Sequence, residues 1–331
     1  MEMKRLNVGI DFAKDKFDIC VLKENVAVHY EQFENNLKGF KRFLKYFNVN
    51  HIDYVPYIGF ESTSTYCRPF QKFLSDNSLP QLLINPLRIK GLKNSMVIQG
   101  KTDKTDSLVI SSYLKNIDDN SFLDFYSLDN EKLHRYNSTL RHLVGLKQQL
   151  KNFYKSINFG LEEDDDISIL LTSLRKHIEK LEKQLQKDSL VFLVKIYPVT
   201  KDIKKDIQGV GEKLLLSLIP RIYSSVGNYK DKQIIAFIGL NPVKFESGTI
   251  KYKEKLNKFG FGHIKKQLYM CAMVARQHNP ILKTYSERLV ALGKPQKVII
   301  VAVMRKLLLA IIGMIKKSKN KSSKELLLTP T

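Results

Sequence analysis

The sequence predicts an α/β N-terminal domain, long coiled-coil helices in the middle and a mainly α-helical C-terminal domain. In the first third of the chain, short apolar runs alternate with helically spaced apolar residues, a pattern typical of a mixed sheet covered by helices. Heptad spacing follows, and the last third carries apolar helical segments with few strand signals. The predicted boundaries are 1–125 for the α/β domain, 126–198 for a coiled-coil helical hairpin, 199–317 for the helical domain and 318–331 for a disordered basic tail.

The N-terminal domain is predicted to begin as a three-stranded meander and to continue with alternating helices and strands. The first helix is predicted because Phe40, Phe43 and Phe47 recur at helical spacing, and a short apolar run after it indicates a buried strand. The order β-β-β-α-β-α-β-α is that of ribonuclease-H-like domains, in which acids from several elements meet at one sheet edge. The predicted strands are 6–11, 17–22, 26–33, 54–60 and 81–84, and the later helices are 63–76 and 103–114.

Four acidic residues fall where this order of elements brings them to one edge of the sheet. Asp11 ends the first strand and Glu61 ends the fourth. Asp103 and Asp106 are three residues apart, so they share one helical face. Taken singly, each acid also fits a turn or a helix N-terminus. Taken together, four carboxylates can hold two divalent metal ions, the arrangement that stabilises the attacking and leaving oxygens in phosphodiester chemistry.

The overall charge predicts a polyanionic partner. The chain of 331 residues has 55 Lys and Arg against 33 Asp and Glu, a net charge of +22, and nucleic acid is the partner that fits best. Lys101 and Lys104, which flank the acid at position 103, are candidate phosphate contacts. Three scattered cysteines and seven histidines without ligand spacing predict neither disulfides nor structural zinc, which fits a reducing cytosol.

The hydrophobic content is high enough for two or three separate cores, and no stretch predicts a membrane segment. Hydrophobic residues make up 43% of the chain. The N-terminus lacks the pattern of a signal peptide, because charged residues lead directly into a strand. The longest apolar stretch, 298–315, contains Arg305 and Lys306, so a buried helix is predicted there. We therefore expect a cytoplasmic protein without a membrane partner.

Two heptad patterns occupy the middle of the chain. Apolar residues recur at alternating spacings of three and four in 133–157 and again in 171–185. The acidic run 162–166 between them is predicted to be a solvated turn. An antiparallel hairpin and an intermolecular coiled coil both satisfy this pattern, and a protruding coiled coil favours oligomerisation.

The C-terminal domain has three features that suggest contact with nucleic acid. The Gly209-Val-Gly211 turn before an amphipathic helix resembles a helix-hairpin-helix element, whose backbone N–H groups can hold a phosphate. An apolar helix at 234–239 precedes a loop containing Ser247 and Gly248, whose residue types alone predict a turn. A basic stretch follows, with candidate backbone contacts at Lys251, Lys253, Lys255, Lys258, Lys265 and Lys266.

Several short motifs give the chain a family resemblance. It resembles the DEDD-type insertion-sequence transposases of family one-ten, which are related to the Piv/MooV site-specific DNA invertases. The N-terminal motifs are Gly9-Ile-Asp-Phe-Ala-Lys14, Glu61-Ser-Thr-Ser-Thr-Tyr66, Asn85-Pro86 and Gly100-Lys-Thr-Asp-Lys-Thr-Asp106. The C-terminal motifs are Gly239-Leu-Asn-Pro242, Glu246-Ser-Gly248, Lys258-Phe-Gly260, Asn279-Pro280, Gly293-Lys-Pro295 and Val303-Met-Arg-Lys306.

The resemblance implies a recombinase that links DNA transiently to a serine. It implies that the four acids bind Mg²⁺, with Mn²⁺ as the alternative, and that Ser247 is the nucleophile. The partners that it implies are donor DNA, target DNA and a structured non-coding bridge RNA that pairs with both. It also implies a homo-oligomer, a dimer or tetramer, with composite active sites in a prokaryotic cytoplasm. Where the family usually has a second basic residue and an asparagine, this chain has Phe259 and Phe261.

Two other functions remain open from the residues. A RuvC-like structure-specific endonuclease would use water as the nucleophile and would need the four acids without Ser247. A non-catalytic nucleic-acid-binding scaffold would use the acids only structurally. Within the resembling family, site-specific inversion is an alternative to transposition.

Overall fold

The computed structural model describes residues 4–23, 26–61, 65–96, 102–118, 128–157, 166–243, 246–247, 250–251, 255–256 and 260–328. The chain divides into two compact units, Met1–Leu128 and Asp129–Thr331.

The first unit contains a five-stranded mixed sheet. The strand order is β3-β2-β1-β4-β5, in which the first three strands pair antiparallel and β4 and β5 extend the sheet parallel to β1. This order follows from the meander and the helical crossovers that the sequence predicts. The strands are β1 (Lys4–Phe12), β2 (Lys16–Lys23), β3 (Val26–Glu34), β4 (Tyr54–Glu61) and β5 (Gln81–Ile84).

Four helices accompany this sheet: α1 (Leu37–Asn50), α2 (Arg68–Asp76), α3 (Pro86–Ser95) and α4 (Asp103–Leu114). On one face, α1 and α2 pack onto the sheet through a dense aromatic cluster. Its rings pack at centroid distances such as 4.9 Å between Phe17 and Phe70 and 5.1 Å between Phe43 and Phe70. On the other face, Val109, Ile110 and Leu114 of α4 are buried against the sheet.

The position of α4 is fixed by a glycine and an arginine of β1. A Cβ atom at Gly9 would lie 2.2 Å from the backbone nitrogen of Ser111, so only glycine permits this close approach. At the other end of the helix, the Arg5 guanidinium donates to the carbonyl oxygens of Leu114, at 2.6 Å, and Ile117, at 2.8 Å. These hydrogen bonds tie the C-terminal end of α4 and the turn after it, in which the Ile117 N–H also donates to the Leu114 carbonyl, to β1. Both contacts hold the acid-bearing helix against the sheet.

The sequence-based expectations for this unit hold for the strands and for most helices. The helix predicted at 63–76 begins at Arg68, and residues 62–64 lie outside the described residues. Helix α3 is missing from the prediction because its apolar residues show little helical periodicity. Its start after Asn85 does match a signal for helix initiation, proline at the first helical position.

The second unit is mostly helical. Its core is formed chiefly by α8, α9, α10 and α12. The helices are α5 (Leu128–Ile157), α6 (Asp166–Ile196), α7 (Val199–Asp206), α8 (Glu212–Ile222), α9 (Asp231–Ile238), α10 (Gly262–His278), α11 (Pro280–Ala291) and α12 (Gln296–Leu328). Between α9 and α10 lie four two-residue strands, β6 (Pro242–Val243), β7 (Glu246–Ser247), β8 (Ile250–Lys251) and β9 (Lys255–Leu256).

Helices α5 and α6 run antiparallel and contact each other within one chain. The Lys147 Nζ atom lies 2.6 Å from an oxygen of Glu182, and the rings of Tyr136 and Phe192 are 6.1 Å apart. These contacts fit an antiparallel hairpin, and the coiled coil stays a prediction. The acidic run that was predicted to be the turn lies outside the described residues, except for Asp166, which begins α6.

The last helix is long and apolar enough to cross a membrane by length and composition. One of its faces is buried in the core of the second unit, including Val303, Leu307 and Ile311, each 0% exposed. This agrees with the predicted buried helix. The predicted disordered tail from residue 318 differs from the structure, in which α12 continues to Leu328. Lysine and leucine favour helix, and the buried turns before them supply the nucleus from which a helix propagates.

Candidate active site

Asp11 and Glu61 lie at the same edge of the sheet. Strands β1 and β4 are parallel neighbours whose register pairs Ile10 with Phe60. Asp11 and Glu61 are the next residues along their strands. Neighbouring strands are roughly 4.8 Å apart, so the two acidic residues occupy adjacent positions.

Both side chains are on the face of the sheet that α4 covers. Gly9 and Gly59 are on this face, because a Cβ atom on either would meet atoms of α4. Side chains alternate between the two faces of a strand. Asp11 and Glu61 come two residues after these glycines, so they share the face on which α4 packs.

Helix α4 brings the other two acids to Asp11. Thr102 caps the helix with its hydroxyl, which accepts from the Thr105 backbone N–H at 3.1 Å, so Asp103 and Asp106 fall in the first two turns. The pKa of Asp11 is raised, first by burial and then by the negative charges of Asp106 and Asp103. Three of the four predicted carboxylates, Asp11, Asp103 and Asp106, therefore interact electrostatically. Glu61 is placed beside them only by its position on the neighbouring strand.

Two lysines neutralise the helix acids. The Lys16 Nζ atom lies 2.9 Å from Asp103 Oδ2, and the Lys93 Nζ atom lies 2.5 Å from Asp106 Oδ1. The hydrogen bond to Asp103 is the main cause of the raised pKa of Lys16. Ammonium groups therefore occupy positions at which the acid cluster favours positive charge.

The acid set fits a hard divalent cation in its chemistry. Carboxylate oxygens are the ligands that Mg²⁺ prefers, and repulsion among the acids that raise the pKa of Asp11 favours a cation between them. In the part of the chain that the structure describes, no group of three or more His, Cys, Asp or Glu residues meets the geometry of a metal site. Asp103 and Asp106 are engaged by lysines in this arrangement.

Asp18 is a fifth acid that sequence reasoning missed. It lies directly opposite Asp11 in the antiparallel pair β1–β2, and its charge also raises the pKa of Asp11. The Gln32 amide donates to it at 2.9 Å. The signal was present in the sequence, because a hairpin between strands 6–11 and 17–22 pairs these two residues.

Ser247 lies on β7 in the second unit, in the segment between α9 and α10. Its backbone pairs with Ile250 of β8, and its side chain lies outside the described atoms. The two ends of this segment are joined, because the Phe261 N–H donates to the Ile238 carbonyl at 3.3 Å. A left-handed Gly260, at φ +89°, makes this closure possible. Ser247 therefore lies in a segment whose two ends meet at one place on the helical core.

The glycines of the predicted helix-hairpin-helix turn pack against α10. A Cβ atom at Gly209, which has φ +96°, would lie 2.6 Å from the Cβ of Ala275. Burial raises the pKa of the Cys271 thiol, and a hydrogen bond from the Gly211 backbone opposes this effect in part. The structure thus gives Gly209 a packing role, whereas a Cβ atom at Gly211 would meet only the Cys271 sulfur, at 3.9 Å. Phosphate contact at this turn stays a prediction.

The predicted lysine contacts are described only in part. Lys101, Lys253 and Lys258 lie outside the described residues, and Lys251 and Lys255 are described by their backbone alone. Lys104 on α4 and Lys266 on α10 are exposed. Lys265 is half-buried, and burial lowers its pKa.

Comparisons with known proteins agree with these features. Residues 8–157 match the DEDD transposase family of IS110, and residues 202–287 match the transposase family IS116/IS110/IS902. The chain is similar to the pilin gene-inverting protein of Moraxella bovis, with 26% identity over 317 residues that cover 92% of this chain and 94% of that protein. The pilin gene-inverting protein of Moraxella lacunata is 26% identical over 314 residues, with the same coverage.

The two family matches, which cover parts of both units, place this chain in the class of DNA transposases and recombinases. Within that class, the chain belongs to the IS110 family of transposases.

Proposed function

We propose that this protein cleaves and rejoins DNA through a covalent phosphoserine intermediate at Ser247. We further propose that the first unit is a RuvC-like domain whose acids Asp11, Glu61, Asp103 and Asp106 hold divalent metal ions, Mg²⁺ or Mn²⁺. The observation that carries the proposal is the electrostatic interaction of Asp11 with both acids of α4, at the sheet edge where Glu61 also lies.

The proposed chemistry consists of two transesterifications. In the first, the Ser247 hydroxyl gives up its proton and its oxygen bonds to a DNA phosphorus. The bond from that phosphorus to a deoxyribose oxygen breaks, and this oxygen takes up a proton to become a hydroxyl. In the second, a deoxyribose hydroxyl of the recipient strand attacks the same phosphorus, releases Ser247 and restores a phosphodiester. The number of phosphate ester bonds is conserved, so strand exchange requires no external energy source.

The acids and lysines of the first unit have separate roles in this scheme. The four carboxylates would bind the metal ions, which stabilise charge on the attacking and leaving oxygens when they are bound. Before binding, Lys16 and Lys93 keep Asp103 and Asp106 neutralised. Lysines released from the carboxylates would be free to contact DNA phosphates.

The partners follow from the charge and from the family resemblance. A net charge of +22 suits donor DNA, target DNA and a structured bridge RNA alike. In an RNA-guided scheme, base pairing selects the sites and the protein binds backbone and shape. We also propose a homo-oligomer, a dimer or tetramer, that brings Ser247 and the acids to one scissile phosphate.

Covalent adducts test the proposal directly. The protein is expressed with the flanking DNA of its gene, and protein–DNA adducts that survive denaturing detergent are compared among variants. We expect an adduct in the wild type that is lost in Ser247→Ala and Asp11→Asn. Two controls, Ser224→Ala in the second unit and Asp53→Asn beyond the opposite end of β4, should keep the adduct.

The same assay separates the competing functions. DNA nicking without an adduct, unaffected by Ser247→Ala, would support a hydrolytic endonuclease. If the wild type and Asp11→Asn both give neither an adduct nor nicked DNA, the scaffold interpretation is correct.

Inversion is a second outcome of the same chemistry. Both of the relatives described above are named for gene inversion. A reporter with two recombination sites in opposite orientation tests this alternative, because inversion flips the intervening DNA whereas transposition moves the element to a new location.

A further inference from the structure

Three helices of the second unit bring Arg141, Arg221 and His263 together. The Arg141 Nη1 atom lies 3.1 Å from His263 Nδ1, and the Arg221 guanidinium stacks 4.3 Å from the centre of the Phe261 ring. The residues come from α5, α8 and the start of α10. In the described part of the chain, neither arginine forms an ion pair with a carboxylate. We call these three residues the basic cluster.

The cluster is held by the packing of α5 against α8. The Asn137 amide donates to the Leu216 carbonyl at 2.5 Å, and the Ser217 hydroxyl lies 3.4 Å from the Asn137 side-chain oxygen. Arg141 is one helical turn beyond Asn137, and Arg221 is one turn beyond Ser217. The contact that joins the helices therefore brings the two guanidinium groups to neighbouring positions.

The hydrogen bond between Arg141 and His263 fixes the imidazole tautomer. A guanidinium can only donate, so His263 Nδ1 must accept and the ring proton must be on Nε2. Burial, followed by the charges of Arg141 and Arg221, lowers the pKa of His263 to about 4. The imidazole is therefore neutral at pH 7 and has an N–H group for which no acceptor is present among the described residues.

The arrangement is electrostatically unfavourable without an anion. Burial and the nearby charge of Arg141 lower the pKa of Arg221 to about 10. Stacking on Phe261 compensates in part. A partly buried guanidinium without a counter-charge is costly, whereas the planar forks of two arginines suit the oxygens of a phosphate.

We propose that Arg141, Arg221 and His263 bind a single phosphodiester group of the DNA backbone, at a site separate from the four acids. The two guanidinium groups supply the charge, and the Nε2–H of His263 supplies a neutral donor. The start of α10 agrees with this assignment, because its first turn contains no acidic residue.

The place of the cluster in the fold connects it with Ser247. Arg221 stacks on Phe261, and the Phe261 N–H joins the two ends of the segment that carries Ser247. The Phe261 ring also packs against the Phe237 ring of α9, with the ring centres 5.0 Å apart. A phosphate bound here would fix the DNA backbone at the base of that segment. This inference rests on the proposed function in one respect, namely that the nucleic acid is DNA.

Salt-dependent DNA binding tests the site. Anisotropy of a labelled DNA duplex is measured over a range of salt concentrations in EDTA, with full-length wild type, Arg141→Gln and Arg221→Gln. Arg288→Gln is the matched control, because it removes one exposed positive charge from α11 of the same unit. Each cluster variant should weaken binding roughly tenfold and reduce the salt slope by about 1. The control should weaken binding less than about twofold.

Equal effects of Arg141→Gln and Arg288→Gln would overturn the proposal. If circular dichroism shows that Arg221→Gln fails to fold, the result for Arg141→Gln alone tests the proposal. Arg141 is exposed on α5, so its substitution should leave the fold intact. An RNA duplex of the same sequence forms a second arm. Variants that lose affinity for RNA and keep it for DNA would overturn the assignment to DNA.

The binding assay and the adduct assay test the two proposals separately. Loss of DNA affinity in the cluster variants, together with no adduct in the wild type, would support the phosphate site and contradict the proposed function. An adduct that depends on Ser247, together with unchanged DNA binding in the cluster variants, would support the proposed function and contradict the phosphate site.

Discussion

Asp11 and Asp18 face each other across the antiparallel pair β1–β2, and the charge of Asp18 contributes to the raised pKa of Asp11. Like charges directly opposite in a sheet are destabilising. Two further acids of α4 add to the same effect on Asp11. An edge that collects negative charge in this way costs stability in the metal-free protein. Such a loss of stability is expected at a cation-binding site, whereas a non-catalytic nucleic-acid-binding scaffold gives no reason for it.

The first prediction concerns Asp18. Asp18→Asn should raise the free energy of unfolding of the metal-free protein by about 0.5 kcal/mol at neutral pH, because it removes the charge opposite Asp11. The ion pair with Lys16 that is lost is long, at 3.6 Å, and Lys16 lies closer to Asp103, at 2.9 Å, so its loss offsets little of this gain. Urea denaturation measures the change, with Asp53→Asn as the control. A destabilised Asp18→Asn protein would contradict the account of this edge.

The second prediction concerns metal binding. Saturating Mg²⁺ should raise the thermal midpoint by about 2–5 °C, and Asp106→Asn should abolish this rise. Lys93→Met should increase it, because the lysine that competes for Asp106 is gone. Differential scanning fluorimetry with and without EDTA measures the shift. If Asp106→Asn keeps the full Mg²⁺ response, the stabilising metal binds elsewhere.

The third prediction compares two glycines. Gly9→Ala should destabilise the protein by about 3 kcal/mol or more, because the new methyl would lie 2.2 Å from the Ser111 backbone nitrogen and push α4 off the sheet. Gly91→Ala on α3 meets nothing within 4 Å and should be neutral or stabilising by about 0.5–1 kcal/mol. Urea denaturation of both variants tests the difference. Similar effects would mean that α4 can shift without cost.

The fourth prediction is a pH dependence from His263. Its pKa of about 4 in the folded protein is below the ordinary 6.5, so the unfolded chain takes up the proton first as the pH falls. The stability that the neutral ring contributes is complete above pH 6.5 and is lost between pH 6.5 and 4. Because the ring is only half-buried and solvent screens its charge, the loss is reduced to about 2 kcal/mol, and His263→Gln should remove it. Urea denaturation at pH 7 and pH 4 measures this, with the exposed His142→Gln as the control that should keep the full loss.

The sheet and the acid positions could be predicted from the sequence because their signals are local. Apolar alternation gives the strands, and acids at strand ends follow from reading to where each run stops. Asp18 was within reach of the same reasoning, since the register of the β1–β2 hairpin pairs it with Asp11. Helix α3 was not predicted because its apolar residues have no clear helical face.

The second unit was harder to predict because its functional features depend on tertiary packing or on resemblance. A serine beside a glycine indicates a turn, and only the family motif marks Ser247 as a nucleophile. Arg141, Arg221 and His263 are far apart in the chain and meet because α5 and α10 both contact α8. No spacing rule connects residues on three separate helices.

The central claim is that Ser247 becomes covalently linked to DNA. The most direct measurement is mass spectrometry of the adduct after nuclease and protease digestion. We predict a peptide that carries a nucleotide phosphate on Ser247, absent from Asp11→Asn protein. A nucleotide on another residue, or DNA cleavage without any modified peptide, would contradict the claim.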